Sequence, residues 1–212
     1  MKKFLLLMLM AILMLPMAMK AQTTDITVGN GTDAGYYAPF GNYYEDSWDE
    51  SIYPASAINA AGTITAVAYN CATASSLTFN TLKIYMGTKT SSSHSDDNDW
   101  LPMSDLTLVY QGSNVTVGST TGWQTFQLDV PYFYDGQDNL VIVVAKDQSG
   151  YSSSQTWYNT TSTGATLHYQ ADGDITYSQH PGTDYGDWYD YYPNVKLTMS
   201  VTPITCPAPT GL

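Results

Sequence analysis

The sequence predicts an all-β protein, a two-sheet antiparallel β-sandwich of jelly-roll type. Three observations carry this: apolar residues recur with period two along most of the chain, turn residues separate the runs at short intervals, and strand–helix–strand alternation is missing. Thr63 to Tyr69 sets Ile64, Ala66 and Ala68 against Thr65, Val67 and Tyr69. Leu82 to Met86 sets Leu82, Ile84 and Met86 against Lys83 and Tyr85. Leu106 to Tyr110, Val115 to Val117, Thr125 to Val130 and Ala165 to Tyr169 continue the alternation, and Val195, Leu197, Met199 and Val201 close it. Leu140 to Ala145 is apolar on both faces, the pattern of a central strand covered on both sides. Pro54 to Ile58 carries the one helical signal, a Pro at a first-turn position. Asn30-Gly31, Gln111-Gly112, Asp135-Gly136, Ser149-Gly150 and Asp172-Gly173 supply turn residues, giving about eight to ten short strands.

Met1 to Ala21 reads as a secretory signal peptide, with Lys2 and Lys3 before an unbroken apolar run from Phe4 to Leu15. The expected destination is the cell surface or the medium. Beyond Ala21 four lysines and no arginine face 19 acids, so the formal charge moves from −12 to about −15. Such a surface repels phosphate, which argues against nucleic acid and anionic lipid as partners. No second apolar run of about 20 residues follows, so membrane insertion is not expected. Residues 22–203 form the expected module. The Pro-spaced residues 204–212 read as a linker into a further domain of a longer chain. Cys71 and Cys206 are an even pair in an exported chain, and a bridge between them and a buried thiol at Cys71 are both open.

No catalytic residue is assigned. His94, His168 and His180 stand in no recognised nucleophile or zinc spacing, and the two Glu, Glu45 and Glu50, fall in one stretch that reads as irregular loop. Calcium is the better chemical expectation, because irregular loops offer it the oxygen ligands it needs. Three clusters qualify equally: Asp96, Asp97 and Asp99 with Asn98; Asp184, Asp187 and Asp190; and Asp46, Asp49 and Glu50. None has the EF-hand spacing. The aromatic loops are the main candidate for a ligand surface. Tyr36, Tyr37, Tyr43, Tyr44 and Trp48 precede the first long strand, while Tyr185, Trp188, Tyr189 and Tyr191 precede the last. Jelly rolls commonly set first and last strands side by side, so the two loops are expected to share one face, where rings stack on sugar C–H faces. The competing reading packs those rings into the core. Trp100, Trp123 and Trp157 are assigned mainly to packing.

The tail Cys-Pro-Ala-Pro-Thr-Gly-Leu, Cys206 to Leu212, resembles the opening of fibronectin type III modules in secreted Bacteroidetes proteins. The body resembles the β-sandwich, adhesin-like module that precedes them, through stretches such as Val28-Gly29-Asn30-Gly31-Thr32, Leu82-Lys83-Ile84-Tyr85-Met86-Gly87, Phe133-Tyr134-Asp135-Gly136 and Pro193-Asn194-Val195-Lys196-Leu197. That resemblance implies a non-catalytic module similar to the haemagglutinin or cleaved-adhesin jelly rolls found beside bacterial cysteine proteases, relatives that often bind calcium. It carries over no ligand residue. The expected function is an adhesin-like or carbohydrate-recognising module, partnered by a glycan or a host or cell-surface protein. The alternatives are a structural spacer presenting neighbouring domains, or an accessory module of a secreted hydrolase.

Overall fold

The computed structural model describes residues 22–173, 181–182 and 184–201. Residues 1–21, expected to be a signal peptide, His180, Cys206 and the Pro-spaced tail lie outside these residues, so a Cys71–Cys206 bridge falls outside them too. The described chain is built from antiparallel strands: β1 (Gln22–Val28), β2 (Asp33–Gly35), β3 (Asp46–Tyr53), β4 (Gly62–Thr73), β5 (Leu77–Lys89), β6 (Thr107–Val117), β7 (Gly122–Tyr134), β8 (Asn139–Gln148), β9 (Thr156–Ala171), β10 (Asp187–Pro193) and β11 (Val195–Val201). One helical turn, α1 (Ala55–Ile58), follows Pro54 as the sequence implies, and Asn59 closes it in the left-handed region at φ 47°. No helix among the described residues is long and apolar enough to cross a membrane.

The strands form one 11-stranded sheet in the order β1-β11-β4-β9-β3-β8-β5-β6, with β7 on β4 and with β2 and β10 on β9. The sheet curls, because β6 at the end of that path comes back beside β7: the Gln111 N–H donates to the Asp129 carboxylate (2.9 Å) and the Tyr110 and Phe126 rings meet at 5.7 Å. Inside the curl lies the main core, including Phe40, Tyr69, Phe79, Ile84, Phe126, Ile142, Trp157, Leu197 and Met199. Phe40 touches the rings of Trp157, Phe79, Tyr69 and Phe126 from outside any strand, so it anchors the loop between β2 and β3.

A second core covers the opposite face of β3, β8 and β5. There Trp48, Ile52, Tyr85, Val141, Val143 and Ala145 pack against Trp100 and Leu101 from the long β5–β6 connection. Satellite cores of this kind form where a long loop folds back over a sheet. They explain why β8 is apolar on both faces, as its sequence predicts. They also explain β3, where the expectation is corrected: Asp46 to Tyr53 is no irregular loop but a strand whose eight residues are all buried, paired to β8 on one side and β9 on the other.

Candidate functional site

The loop between β2 and β3 is held from beneath by two buried polar side chains of β8. Lys146 donates through Nζ to the carbonyls of Tyr44 and Glu45, and Gln148 donates through Nε2 to those of Asn42, Tyr44 and Gly150. Burial pushes the Lys146 pKa down to about 8 against the pull of Asp49, Asp46, Asp147 and Glu45. With its carbonyls bonded and Phe40 buried, the loop turns Tyr36, Tyr37, Tyr43 and Tyr44 outward on a fixed frame.

Those rings meet one another and then the rings of β10. Tyr43 approaches Tyr151 at 6.0 Å, Tyr44 at 5.4 Å and Tyr36 at 6.1 Å; Tyr36 lies 4.4 Å from Tyr37; Tyr37 stacks on Tyr189 at 5.1 Å; and Tyr189 lies 5.4 Å from Tyr191. The Tyr37–Tyr189 stack joins the two loops into one continuous run of phenols. Tyr151, 77% exposed, is a member that sequence reasoning missed, and its only signal was a lone aromatic after the Ser149-Gly150 turn. Burial and the negative charge of Asp187 hold the Tyr189 hydroxyl well above the ordinary phenol range. A hydrogen bond with Tyr36, together with burial, raises that of Tyr37. Tyr37 and Tyr189 therefore present neutral O–H groups at physiological pH.

Beneath Tyr37 and Tyr189 sits His168, with ring centroids at 5.5 and 6.0 Å. Its Nδ1 donates to Asp49 Oδ1 at 2.5 Å and its Nε2 faces Gln170 Oε1 at 2.9 Å, so both ring nitrogens point at oxygen. Burial alone would lower the His168 pKa, but the charge and hydrogen bond of Asp49 outweigh it and hold the imidazole above its ordinary value. The other Asp49 oxygen accepts the Ser47 hydroxyl at 3.1 Å. In this order the carboxylate stands between hydroxyl and imidazole, so the imidazole has no contact through which to take the serine proton. The Asp49–His168 pair lies directly beneath the aromatic face.

The remaining candidates divide. Trp48 is corrected: it is 0% exposed in the satellite core, because it belongs to β3, and it cannot touch a ligand. Tyr185 and Trp188 are 70% and 48% exposed but have no ring contact with the phenol run, and the Trp188 indole lies over Gly164. Trp100 and Trp157 are core residues, as assigned, whereas Trp123, assigned with them to packing, is half-exposed and belongs to neither core.

Within the acidic clusters several carboxylates accept protein donors, while Asp96, Asp97, Asp184, Asp187 and Asp190 stand exposed. Asp99 Oδ2 pairs with Lys89 at 2.8 Å and accepts the Ser95 N–H at 2.8 Å, and Asp96 Oδ1 accepts the Asn98 N–H at 3.1 Å; no hydrogen bond or ion pair of the Asp97 carboxylate is found beside them. Asp184 accepts the Tyr169 hydroxyl at 3.2 Å, Asp190 accepts the Gly164 N–H at 2.8 Å, and Asp187 stands exposed at the start of β10. In β3 the alternation of the strand sends Asp49 and Glu50 to opposite faces, so that cluster does not converge. Among the described residues no group of three or more His, Cys, Asp or Glu is arranged to hold a metal ion. Glu50 instead accepts the Leu101 N–H with both oxygens, at 3.0 and 3.1 Å, and burial pushes its pKa up to about 8. His94, also buried, is pushed down to about 4.

No family model matches the chain, and no curated protein matches it. Among solved structures it is similar to a clostridial cysteine protease, Cwp84 after propeptide cleavage, with a TM-score of 0.47 and 9% identity over 84% of this chain. The matched part covers 40% of that protease chain.

Proposed function

We propose that the protein is a non-catalytic, exported binding module of the adhesin-like or carbohydrate-recognising kind, its curled sheet closing as a two-sheet jelly-roll sandwich that displays the tyrosine face. The observation that carries this is the Tyr37–Tyr189 stack, which merges the β2–β3 loop and β10 into one surface of half-exposed phenols. Such rings present large rigid contact area at small entropic cost, and their hydroxyls exchange hydrogen bonds with sugar or peptide groups. Buried Lys146, Gln148 and the Asp49–His168 pair serve as the frame beneath them. The partner of the tyrosine face is a glycan or a host or cell-surface protein. Export through residues 1–21 delivers it to the surface or the medium.

A panel of immobilised glycans and cell-surface proteins tests this, with the Tyr36→Ala/Tyr43→Ala double variant as comparison. Losing two central rings is expected to weaken binding at least tenfold with little change in melting temperature, since both rings lie outside the core. Binding that is equal in both proteins rejects the tyrosine face. Failure of the unmodified protein to bind any partner favours the spacer. Melts of the same protein with calcium and with chelator read the ion separately, through the rise in midpoint that binding to the folded state produces.

A further inference from the structure

A second concavity, sharing no residue with the tyrosine run, opens beside the β1–β2 loop. It has a volume of about 270 Å³ and is lined by Asn30, Thr32, Asn70, Trp123, Tyr158 and Asn194, with Gly29 and Gly31 along one wall. That wall is fixed. Asn194, 4% exposed, donates through Nδ2 to the Gly31 carbonyl at 2.8 Å and accepts the Thr160 hydroxyl at 2.7 Å, while Thr160 Oγ1 accepts the Gly31 N–H at 2.9 Å. Only glycine fits at position 31, where a Cβ would lie 2.0 Å from the Asn159 carbonyl oxygen. The shape is thus preformed and needs no ordering when a ligand arrives.

What the concavity offers is specific. The side-chain amides of Asn30 and Asn70 have no protein partner among the described residues, in contrast to Asn42, Asn80, Asn139 and Asn194, which are bonded. Each amide carries a donor pair and an acceptor, the complement of neighbouring sugar hydroxyls. The Trp123 and Tyr158 rings supply the apolar surface on which a pyranose C–H face packs. No carboxylate lines it, although the chain has 19 acids. Lys196 is not among the lining residues, but its Nζ lies 4.8 Å from the centroid of the Trp123 ring, which is. Of the other lysines among the described residues, Lys146 is buried, Lys89 is held by Asp99 and Lys83 has a partner of its own. The volume lies just under the ~300 Å³ at which pockets for larger small molecules begin, which suits one or two sugar rings.

We propose that this concavity is a saccharide site, separate from the tyrosine face, that prefers a sugar bearing a carboxylate. The test is calorimetric titration of the protein with digalacturonate and sialyllactose, and with galactobiose and lactose as neutral counterparts. At least one acidic probe is expected to bind more tightly than its neutral counterpart. Trp123→Ala and the loop-tip variant Asn30→Ala are each expected to weaken it tenfold or more, and Lys196→Gln is expected to erase the advantage of the acidic probe. No binding by any probe overturns the site, as does unchanged binding in both Trp123→Ala and Asn30→Ala. Equal affinity for acidic and neutral probes overturns the charge preference. A loss in Tyr36→Ala/Tyr43→Ala as large as in Trp123→Ala would assign the sugar to the tyrosine face and overturn the separation of the two sites.

Discussion

His168→Leu is expected to lower the unfolding free energy by about 3–5 kcal/mol, the cost of leaving a buried carboxylate without its hydrogen-bonded imidazole. Asp49 is 1% exposed, and in the variant the Ser47 hydroxyl would still donate to it and Lys146 would still attract it. Asp49→Leu/His168→Leu removes both charges and is expected to be more stable than the single variant, because an apolar pair of similar volume costs no desolvation. Urea unfolding of the variants at pH 6 measures this. A single variant within about 1 kcal/mol of the parent, or a double variant no more stable than the single, would show that the pair is not charged. The same substitution removes the imidazole from under Tyr37 and Tyr189, so glycan binding by the tyrosine face is expected to weaken in parallel.

Stability is expected to fall as pH rises from 4.5 to 8, with a minimum near pH 8. Glu50 keeps its proton in the folded state up to about 8, whereas the unfolded chain releases it near 4.5. The folded state therefore holds more protons across that window, and its advantage is complete below 4.5 and gone above 8. A shift of that size amounts to about 5 kcal/mol at most. His168, raised by Asp49, adds to the fall above its ordinary pKa. His94, lowered from 6.5 to about 4, opposes it only between those values, because there the unfolded chain binds the extra proton. Above pH 8 Lys146 reverses the slope: the folded state has lost its proton at about 8 while the unfolded chain keeps one until near 10.5. Chemical denaturation at pH 5, 6.5, 8 and 9.5 traces the curve. Glu50→Gln is expected to remove most of the fall between pH 6.5 and 8, and a Gln variant with the parent's slope would place the titration elsewhere.

The strands that alternate cleanly in sequence, β4, β5 and β11, and the doubly apolar β8 appear where the pattern puts them, because local pattern and burial agree there. Strand β3 does not announce itself. Asp-Ser-Trp-Asp-Glu-Ser-Ile-Tyr carries three acids and two serines, and such residues are buried only when distant groups meet them. The partner of Asp49 is His168, 119 positions away, and that of Glu50 is the Leu101 N–H, 51 positions away. Nothing local encodes either contact, so a central strand looks like solvated loop and Trp48 looks like a ligand residue. The meeting of Tyr37 with Tyr189 is expected from the neighbouring of first and last strands, but it arises by another route, because β2 and β10 both pair with β9. The Trp123 groove was not legible, since Asn30, Asn70 and Asn194 come together only through the order of β1, β11, β4 and β7.

Strands β1 and β11 run antiparallel with Gln22 opposite Val201. The first and last residues of the sheet are thus about 5 Å apart, the spacing of one rung of the ladder. A segment attached at either end of the described strands would therefore meet the domain at one and the same corner of the sheet.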